Sequence, residues 1–401
     1  MNSGGLSKDR LSRLHEVMAS HVEQGQIPGV VTLLARLDDV HVLAVGSRDL
    51  ASRIPMRRDT IFRIASMTKP VAAAAAMILV EETRLRLDDP VDRWLPELAG
   101  RSVLRSFDGP LEEVTPAARA ITLRDLLTFR LGLGLVFGPP DTVPIVKAIA
   151  DAGIAAGPAP PQMTPDEYMR RICALPLVHQ PGERWLYHTG SDLLGVLIER
   201  CSGQRFEEFL RERIFDPLGM RDTGFHVPDV KLDRLATGYS IDRATQKLTV
   251  SDPARGGLWS RPPDFASGGG GLASTADDFL AFGRMMLNLG RHGSMRVLSR
   301  TSVELMTTDH LTPRQKALSP FAPGFWETNG WGFGVAVTSR RESISASPGS
   351  YGWDGAYGTS WSNDPREDLV TILLTQRQLL GPGSFEIKND FETLAHQALE
   401  D

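Results

Sequence analysis

The sequence predicts an α+β fold, an antiparallel β-sheet flanked by N- and C-terminal helices with a mostly helical lobe inserted into it. Three observations predict it. β-rich runs gather near the two ends of the chain, helix-like segments fill the middle, and a helical pattern lies at each terminus. Residues 1–87 and 266–401 are expected to form the sheet domain and residues 88–265 the helical one, with a site between them.

Taken in order, Leu6, Leu11, Leu14, Met18 and Val22 recur at steps of three to five residues, which predicts an amphipathic helix ending near Gly25 and Pro28. VVTLLAR from Val30 and HVLAVG from His41 read as strands, with Asp38-Asp39 as the hairpin turn. A long helix should follow from about Ser66 to Glu82. Thr122 before LRDLL and Thr164 before PDEYMRRI have the chemistry of helix caps, and Pro165 suits a first helical position. Between them, residues 138–162 are rich in Pro, Gly and Ala and predict a loop or a flap over a site. WGFGVAV from Trp331, YGTSWS from Tyr357 and DLVTILLT from Asp368 read as strands, and FEIKNDFETLAHQAL as a closing helix.

Composition narrows the function. The 401 residues carry a formal net charge of -5, with 41% hydrophobic and 23% charged residues. No basic footprint for phosphate neutralisation exists, so nucleic acid is not expected as a partner. Arg and Lys form no long run, and the apolar stretch Val71 to Val80 is far short of the ~20 residues of a membrane span. The N-terminal segment lacks an apolar h-region and reads as helix, so a cytoplasmic protein is expected. Cys173 and Cys201 lie outside any C-x-x-C pattern and are expected to be buried, reduced thiols. The nine histidines show no H-E-x-x-H and no metal-ligand spacing with the cysteines, so no metal is implied. The expected partner is a small molecule; the sequence leaves the oligomeric state open.

The first chemistry-bearing group is Ser66-Met67-Thr68-Lys69. Residues three apart on a helix share a face, so the hydroxyl and the amine can meet. Serine needs a base to attack at neutral pH. Lysine is a poor one at its usual pKa of about 10.4, unless burial or a helix N-terminus lowers it. Lys69 is the only lysine of the chain with a serine three residues before it. On the motif alone, a capping serine followed by a surface lysine fits equally well. Ser267-Gly-Gly-Gly-Gly-Leu272 is no phosphate loop, since no Lys-Ser or Lys-Thr follows. It reads as a tight turn bordering a pocket, leading into a helix capped by Ser274 or Thr275. A G-x-S-x-G elbow is absent, which argues against an α/β-hydrolase.

The stretch FRIASMTKPVAAAAAMILVEETRLRLDDPVDRWLPEL resembles the active-site helix of the serine β-lactamase-like superfamily. The similarity continues in order through ITLRDLLTFRLGLG, PGERWLYHTGSDLLGVLIER, FDPLGMRDTGF, SGGGGLASTADDFLAFGRMML and WDGAYGTSWSNDP. Within the superfamily it is most similar to class C β-lactamases and family VIII carboxylesterases. The resemblance implies the β-lactamase/transpeptidase-like fold, with Ser66 as nucleophile, Lys69 as its base and Tyr187 as a proton relay. It implies no cofactor.

Two blocks depart from the family pattern. Thr189 stands where Tyr-x-Asn is common, and His188 reads as a hydrogen-bonded neighbour rather than a base. A packing role for Tyr187 is the alternative to catalysis. Where β-lactamases carry Lys-Thr-Gly, this sequence has Trp353-Asp354-Gly355. The lysine that would meet a substrate carboxylate is missing. Trp353 offers an apolar wall, Asp354 is expected to add negative charge, and the strand is expected to bring the Ala356 N–H to an oxyanion hole shared with the Ser66 N–H. The implied activity is hydrolysis of small-molecule carboxylic esters through an acyl-enzyme. A β-lactamase, a D-amino-acid-specific peptidase or amidase, and an acyltransferase are the alternatives, with a silent binding protein as the non-enzymatic one.

Overall fold

The computed structural model describes residues 5–379 and 386–400. Helix α1 (Lys8–Glu23) leads into β1 (Gly29–Arg36), β2 (Asp39–Asp49) and the short β3 (Ile54–Pro55). The hairpin turn between β1 and β2 is Leu37-Asp38, one residue earlier than the sequence suggests, because Arg36 pairs with Asp39. Leu37 takes the positive φ of 51°.

The other end of the chain supplies β4 (Asn329–Trp331), β5 (Ala336–Thr338), β6 (Tyr351–Gly355), β7 (Thr359–Asp364) and β8 (Leu369–Thr375). Together they form an eight-stranded sheet in the order β4-β5-β6-β7-β8-β1-β2-β3, with antiparallel neighbours throughout. WGFGVAV is therefore a hairpin rather than one strand, since Trp331 pairs with Ala336. Tyr357 and Gly358 belong to the turn between β6 and β7 rather than to β7. That loop is three residues long and ends on Gly358 at φ 72°, the residue type such a hairpin favours.

The central strands show why the sheet needs cover on both faces. β1 and β8 are buried along almost their whole length. Val30 and Leu34 of β1 pack with Leu11, Leu14 and Met18 of α1 and with Ile387, Phe391 and Leu394 of α8 (Glu386–Gln397). Val31, Leu33 and Ala35, on the opposite face by the period-two rule, join the main core. That core contains α2 (Thr68–Glu81), whose residues Thr68 to Leu79 are all buried. A helix buried all round cannot carry bulk everywhere, which explains its run of five alanines. Phe385, the first residue of the expected closing helix, lies outside the described residues.

The segment between the two halves of the sheet folds as α3 (Leu123–Leu127), α4 (Pro144–Asp151), α5 (Pro165–Cys173) and α6 (Thr189–Ser202), with small two-stranded ribbons. Thr122 closes a capping box with Asp125, and Thr164 caps α5 with Pro165 following. α4 interrupts the stretch expected to be a loop. Thr275, rather than Ser274, caps α7 (Ala276–Leu287). Cys201 is buried and Cys173 half-buried, and both are free. Among the described residues, no helix is long and apolar enough to cross a membrane.

Gly355 is where the sheet meets the turn that precedes α2. A Cβ there would lie 2.3 Å from the Ile64 carbonyl oxygen and 2.1 Å from Thr359 Oγ1, so only glycine permits this approach. Gly355→Ala should cost about 1–3 kcal/mol, the usual penalty of overpacking a rigid site. Denaturant unfolding of the two proteins measures it; an unchanged midpoint would show that β6 is free to move away from Ile64.

Candidate active site

Ser66 lies in a 3₁₀ turn, Ala65–Met67, that runs directly into α2. Residues three apart eclipse in such a turn, and Lys69 Nζ lies 2.9 Å from Ser66 Oγ. Thr68 points elsewhere. Its hydroxyl donates to the Ala65 carbonyl at 2.7 Å and accepts from the Leu272 N–H at 3.1 Å. Ala65 has φ 43°, an uncommon region for a residue with a Cβ, so backbone strain sits immediately before Ser66.

Lys69 is 0% exposed. Its amine lies 2.5 Å from the Gly269 carbonyl, 3.1 Å from His188 Nδ1 and 4.5 Å from the centre of the Tyr187 ring. Burial pulls its pKa down to about 7, against an upward pull from the Asp192 charge. An amine with that pKa is substantially neutral at neutral pH and can take a proton.

Tyr187 and His188 immediately precede α6. His188 has φ 87° and ψ -66°, and the Thr189 N–H reaches back to the Tyr187 carbonyl at 3.3 Å. This is the strained, positive-φ form of the γ-turn. It lays the Tyr187 ring over Lys69 while the neighbouring imidazole meets the same amine. The Tyr187 hydroxyl accepts a 2.6 Å hydrogen bond from Trp353 Nε1 and shares another with Ser66. Burial raises the phenol pKa by more than these two bonds lower it, so Tyr187 keeps its proton at neutral pH. An indole N–H can only donate. The phenol hydrogen is thus left for Ser66, and the Ser66 hydrogen for Lys69.

Trp353 belongs to an aromatic cluster with Phe129, Trp185 and Trp331, against which Tyr187, Phe321 and Phe325 pack. Phe321 and Phe325 are part-exposed, and their rings lie 6.1 Å from that of Trp353. They extend the apolar wall beside Tyr187. Asp354 does not line this wall, but its charge is felt at the site as the sequence suggests, since it helps to push the Tyr187 pKa up. Successive strand residues face opposite ways, and its carboxylate accepts a 2.7 Å hydrogen bond from Lys388 Nζ of α8. The same lysine lies 3.6 Å from Glu392, so it is shared between two carboxylates. Gly355 acts through its missing side chain, and the part-buried Ala356 packs into a cluster that includes Ala65.

A family model described as Beta-lactamase matches residues 14–395. The chain belongs to the beta-lactamase family. An uncharacterized protein of Mycobacterium tuberculosis is 41% identical over 360 residues, covering 88% of this chain and 87% of its own. Esterase EstB of Burkholderia gladioli is 31% identical over 386 residues, covering 91% of this chain and 90% of its own. Among solved structures, EstCE1, a hydrolase with promiscuous acyltransferase activity, superposes with a TM-score of 0.80 at 26% identity, over 97% of this chain and 99% of that one.

This beta-lactamase-family site thus brings Ser66, Lys69, Tyr187 and Trp353 together. Two further residues were missed as a pair. His188 Nε2 lies 3.1 Å from Asp192 Oδ2, and Asp192 is 1% exposed. Their i, i+4 spacing at a helix start was the available signal.

The Lys69 pKa gives a signed prediction. Only the neutral amine can accept the Ser66 proton, so labelling of Ser66 by a fluorophosphonate should slow about tenfold per pH unit below about 7. It should level off above that value. Lys69→Arg, which stays protonated, should label at most a thousandth as fast, an order-of-magnitude expectation. A labelling rate flat from pH 5 to 9 would contradict this reading.

Proposed function

We propose that this chain is a carboxylesterase of the family VIII kind, acting on neutral small-molecule esters through an acyl-enzyme on Ser66. The coarser statement, a serine hydrolase of the beta-lactamase family, follows from the family match and the esterase relative. One observation carries the finer reading. The Trp353 indole donates to the Tyr187 hydroxyl at 2.6 Å, and by the family resemblance Trp353 stands where a cation would meet a substrate carboxylate.

The steps follow from the pKa ordering. Lys69, neutral near pH 7, takes the Ser66 proton as Oγ bonds to the ester carbonyl carbon. The resulting oxyanion is met by the Ser66 and Ala356 N–H groups. Tyr187 passes its proton to the departing alkoxide and is reprotonated from Lys69, so the amine is neutral again. Water then repeats the sequence on the acyl-enzyme, freeing the acid. No cofactor enters. Where an alcohol replaces water in the second half, the same residues perform acyl transfer. The activity named for EstCE1 supports that second reading.

The missing cation sets specificity. A charge-assisted contact is typically worth about 1.5–3 kcal/mol, or roughly 10- to 150-fold in affinity. Asp354 is paired with Lys388, so the predicted bias rests chiefly on the absent cation and the aromatic wall. Native protein should show a higher kcat/KM for a neutral p-nitrophenyl ester than for a carboxylate-bearing cephalosporin. The opposite order would replace the esterase reading with a β-lactamase.

Ser66→Ala should lower ester hydrolysis by a factor on the order of 10⁴ or more with the fold kept. Mass spectrometry of phosphonate-treated protein should place the adduct on Ser66. An adduct on another serine would overturn the assignment.

A further inference from the structure

The His188–Asp192 pair behind Lys69 has a geometry that decides where hydrogens sit. Asp192 Oδ1 accepts from the Ser267 hydroxyl at 2.6 Å and from the Gly269 N–H at 2.9 Å. Its Oδ2 accepts from the Tyr168 hydroxyl at 3.4 Å and faces His188 Nε2 at 3.1 Å. Burial pushes the Asp192 pKa up, but His188, Ser267 and Gly269 together hold it below the ordinary aspartate value. The carboxylate is therefore ionised and can only accept. An imidazole facing it carries its hydrogen on Nε2, which leaves a lone pair on Nδ1.

That lone pair faces Lys69 Nζ at 3.1 Å, and the Gly269 carbonyl faces the same nitrogen at 2.5 Å. A neutral amine has two hydrogens and one lone pair. Both neighbours can only accept, so they take the two hydrogens. The remaining direction leads to Ser66 Oγ at 2.9 Å. A Cβ on Gly269 would come within 2.9 Å of Asp192 Oδ1 and of His188 Nε2, so the glycine loop is shaped to close over this pair. The strained γ-turn at His188 is explained by the same requirement.

We propose that His188 and Asp192 are positioning residues for acylation of Ser66, fixing the imidazole tautomer so that the Lys69 lone pair points at the serine hydrogen. The inference rests on Ser66 as nucleophile and Lys69 as base. When Lys69 takes the proton, its three hydrogens meet Gly269, His188 Nδ1 and the reacting oxygens. The Asp192 charge then offsets the ammonium through the imidazole. The proton leaves again by way of Tyr187, so the pair itself gains and loses none.

The groups facing His188 are Lys69 from α2, Asp192 of α6, and Tyr187, whose ring centre lies 6.0 Å away. Tyr168 of α5 faces it across Asp192, and the 267–271 loop contributes Ser267 and backbone. Burial, followed by Lys69, lowers the His188 pKa, in keeping with a neutral imidazole.

Asp192→Asn tests the tautomer directly. The Ser267 and Gly269 donors draw the amide oxygen to their side, which turns the NH₂ toward Nε2. The imidazole hydrogen then moves to Nδ1 and competes for the Lys69 lone pair. With a p-nitrophenyl ester, kcat/KM should fall by about 10²-fold or more, as expected when a base is held in the wrong tautomer. Its acid limb should move to lower pH, because the charge that raises the Lys69 pKa is gone.

His188→Ala should lose at least ~30-fold, and His188→Gln should regain part of that loss, since an amide oxygen can accept from Lys69. Wild-type rates in Asp192→Asn and His188→Ala, with an unmoved acid limb in Asp192→Asn, would overturn the proposal. So would losses that only follow a lower folded fraction, measured by thermal unfolding. If Asp192→Asn does not fold, the histidine variants decide: equal losses in Ala and Gln overturn it. A Ser66→Ala protein that still hydrolyses the ester overturns the nucleophile reading, and the proposal with it. Inactive Ser66→Ala beside unaffected pair variants overturns the proposal alone.

Discussion

The site depends on keeping one lysine out of water. Lys69 is fully buried, and burial lowers its pKa from the ordinary lysine value to about 7. That shift corresponds to roughly 5 kcal/mol against the charged form. The unfolded chain holds this proton up to about pH 10.4, so the folded state is penalised below that value. The penalty is full below about 7 and vanishes as the pH rises through 10.4. In the proposed chemistry, the same desolvation makes the amine a usable base for Ser66. Chemistry and stability therefore draw on one interaction with opposite signs.

The fold supplies the dry slot from four directions. α2 carries Ser66 and Lys69 through the core as a helix buried all round. The start of α6 brings Tyr187 and His188 over the amine by a strained turn. The glycine-rich loop closes the far side with the Gly269 carbonyl, and β6 presses Gly355 against Ile64 while Trp353 holds the Tyr187 hydroxyl. Each contact needs a residue type that a generic core would not select: glycine at a close approach, a non-glycine at positive φ, a donor-only indole. α8 adds a remote contribution, because Lys388 holds the Asp354 carboxylate one residue from Trp353.

Much of this was legible in the sequence. Strand alternation, the caps at Thr122 and Thr164, and the terminal helices depend on local chemistry and period, which a linear reading captures. The Ser66–Lys69 contact was legible for the same reason, since its spacing is that of one helical turn. What escaped was set by long-range packing. The direction of Asp354 depends on Lys388, 34 residues away and on another element. The split of WGFGVAV into two strands depends on the pairing of Trp331 with Ala336, which apolar composition does not reveal. His188 looked like a neighbour because its role requires α6 to face α2. The i, i+4 spacing of His188 and Asp192 alone names no third partner.

The chain has seven lysines, few enough for each to be followed separately by NMR. Carbon-13 labelling at lysine Cε, with Lys69→Met to assign the resonance, would read the ionisation of Lys69 itself. The proposed chemistry predicts a titration centred at about 7 for that one signal. A Lys69 signal titrating at 10 or above would mean that the amine is charged at neutral pH. It would then contradict the claim that buried, neutral Lys69 is the base that activates Ser66.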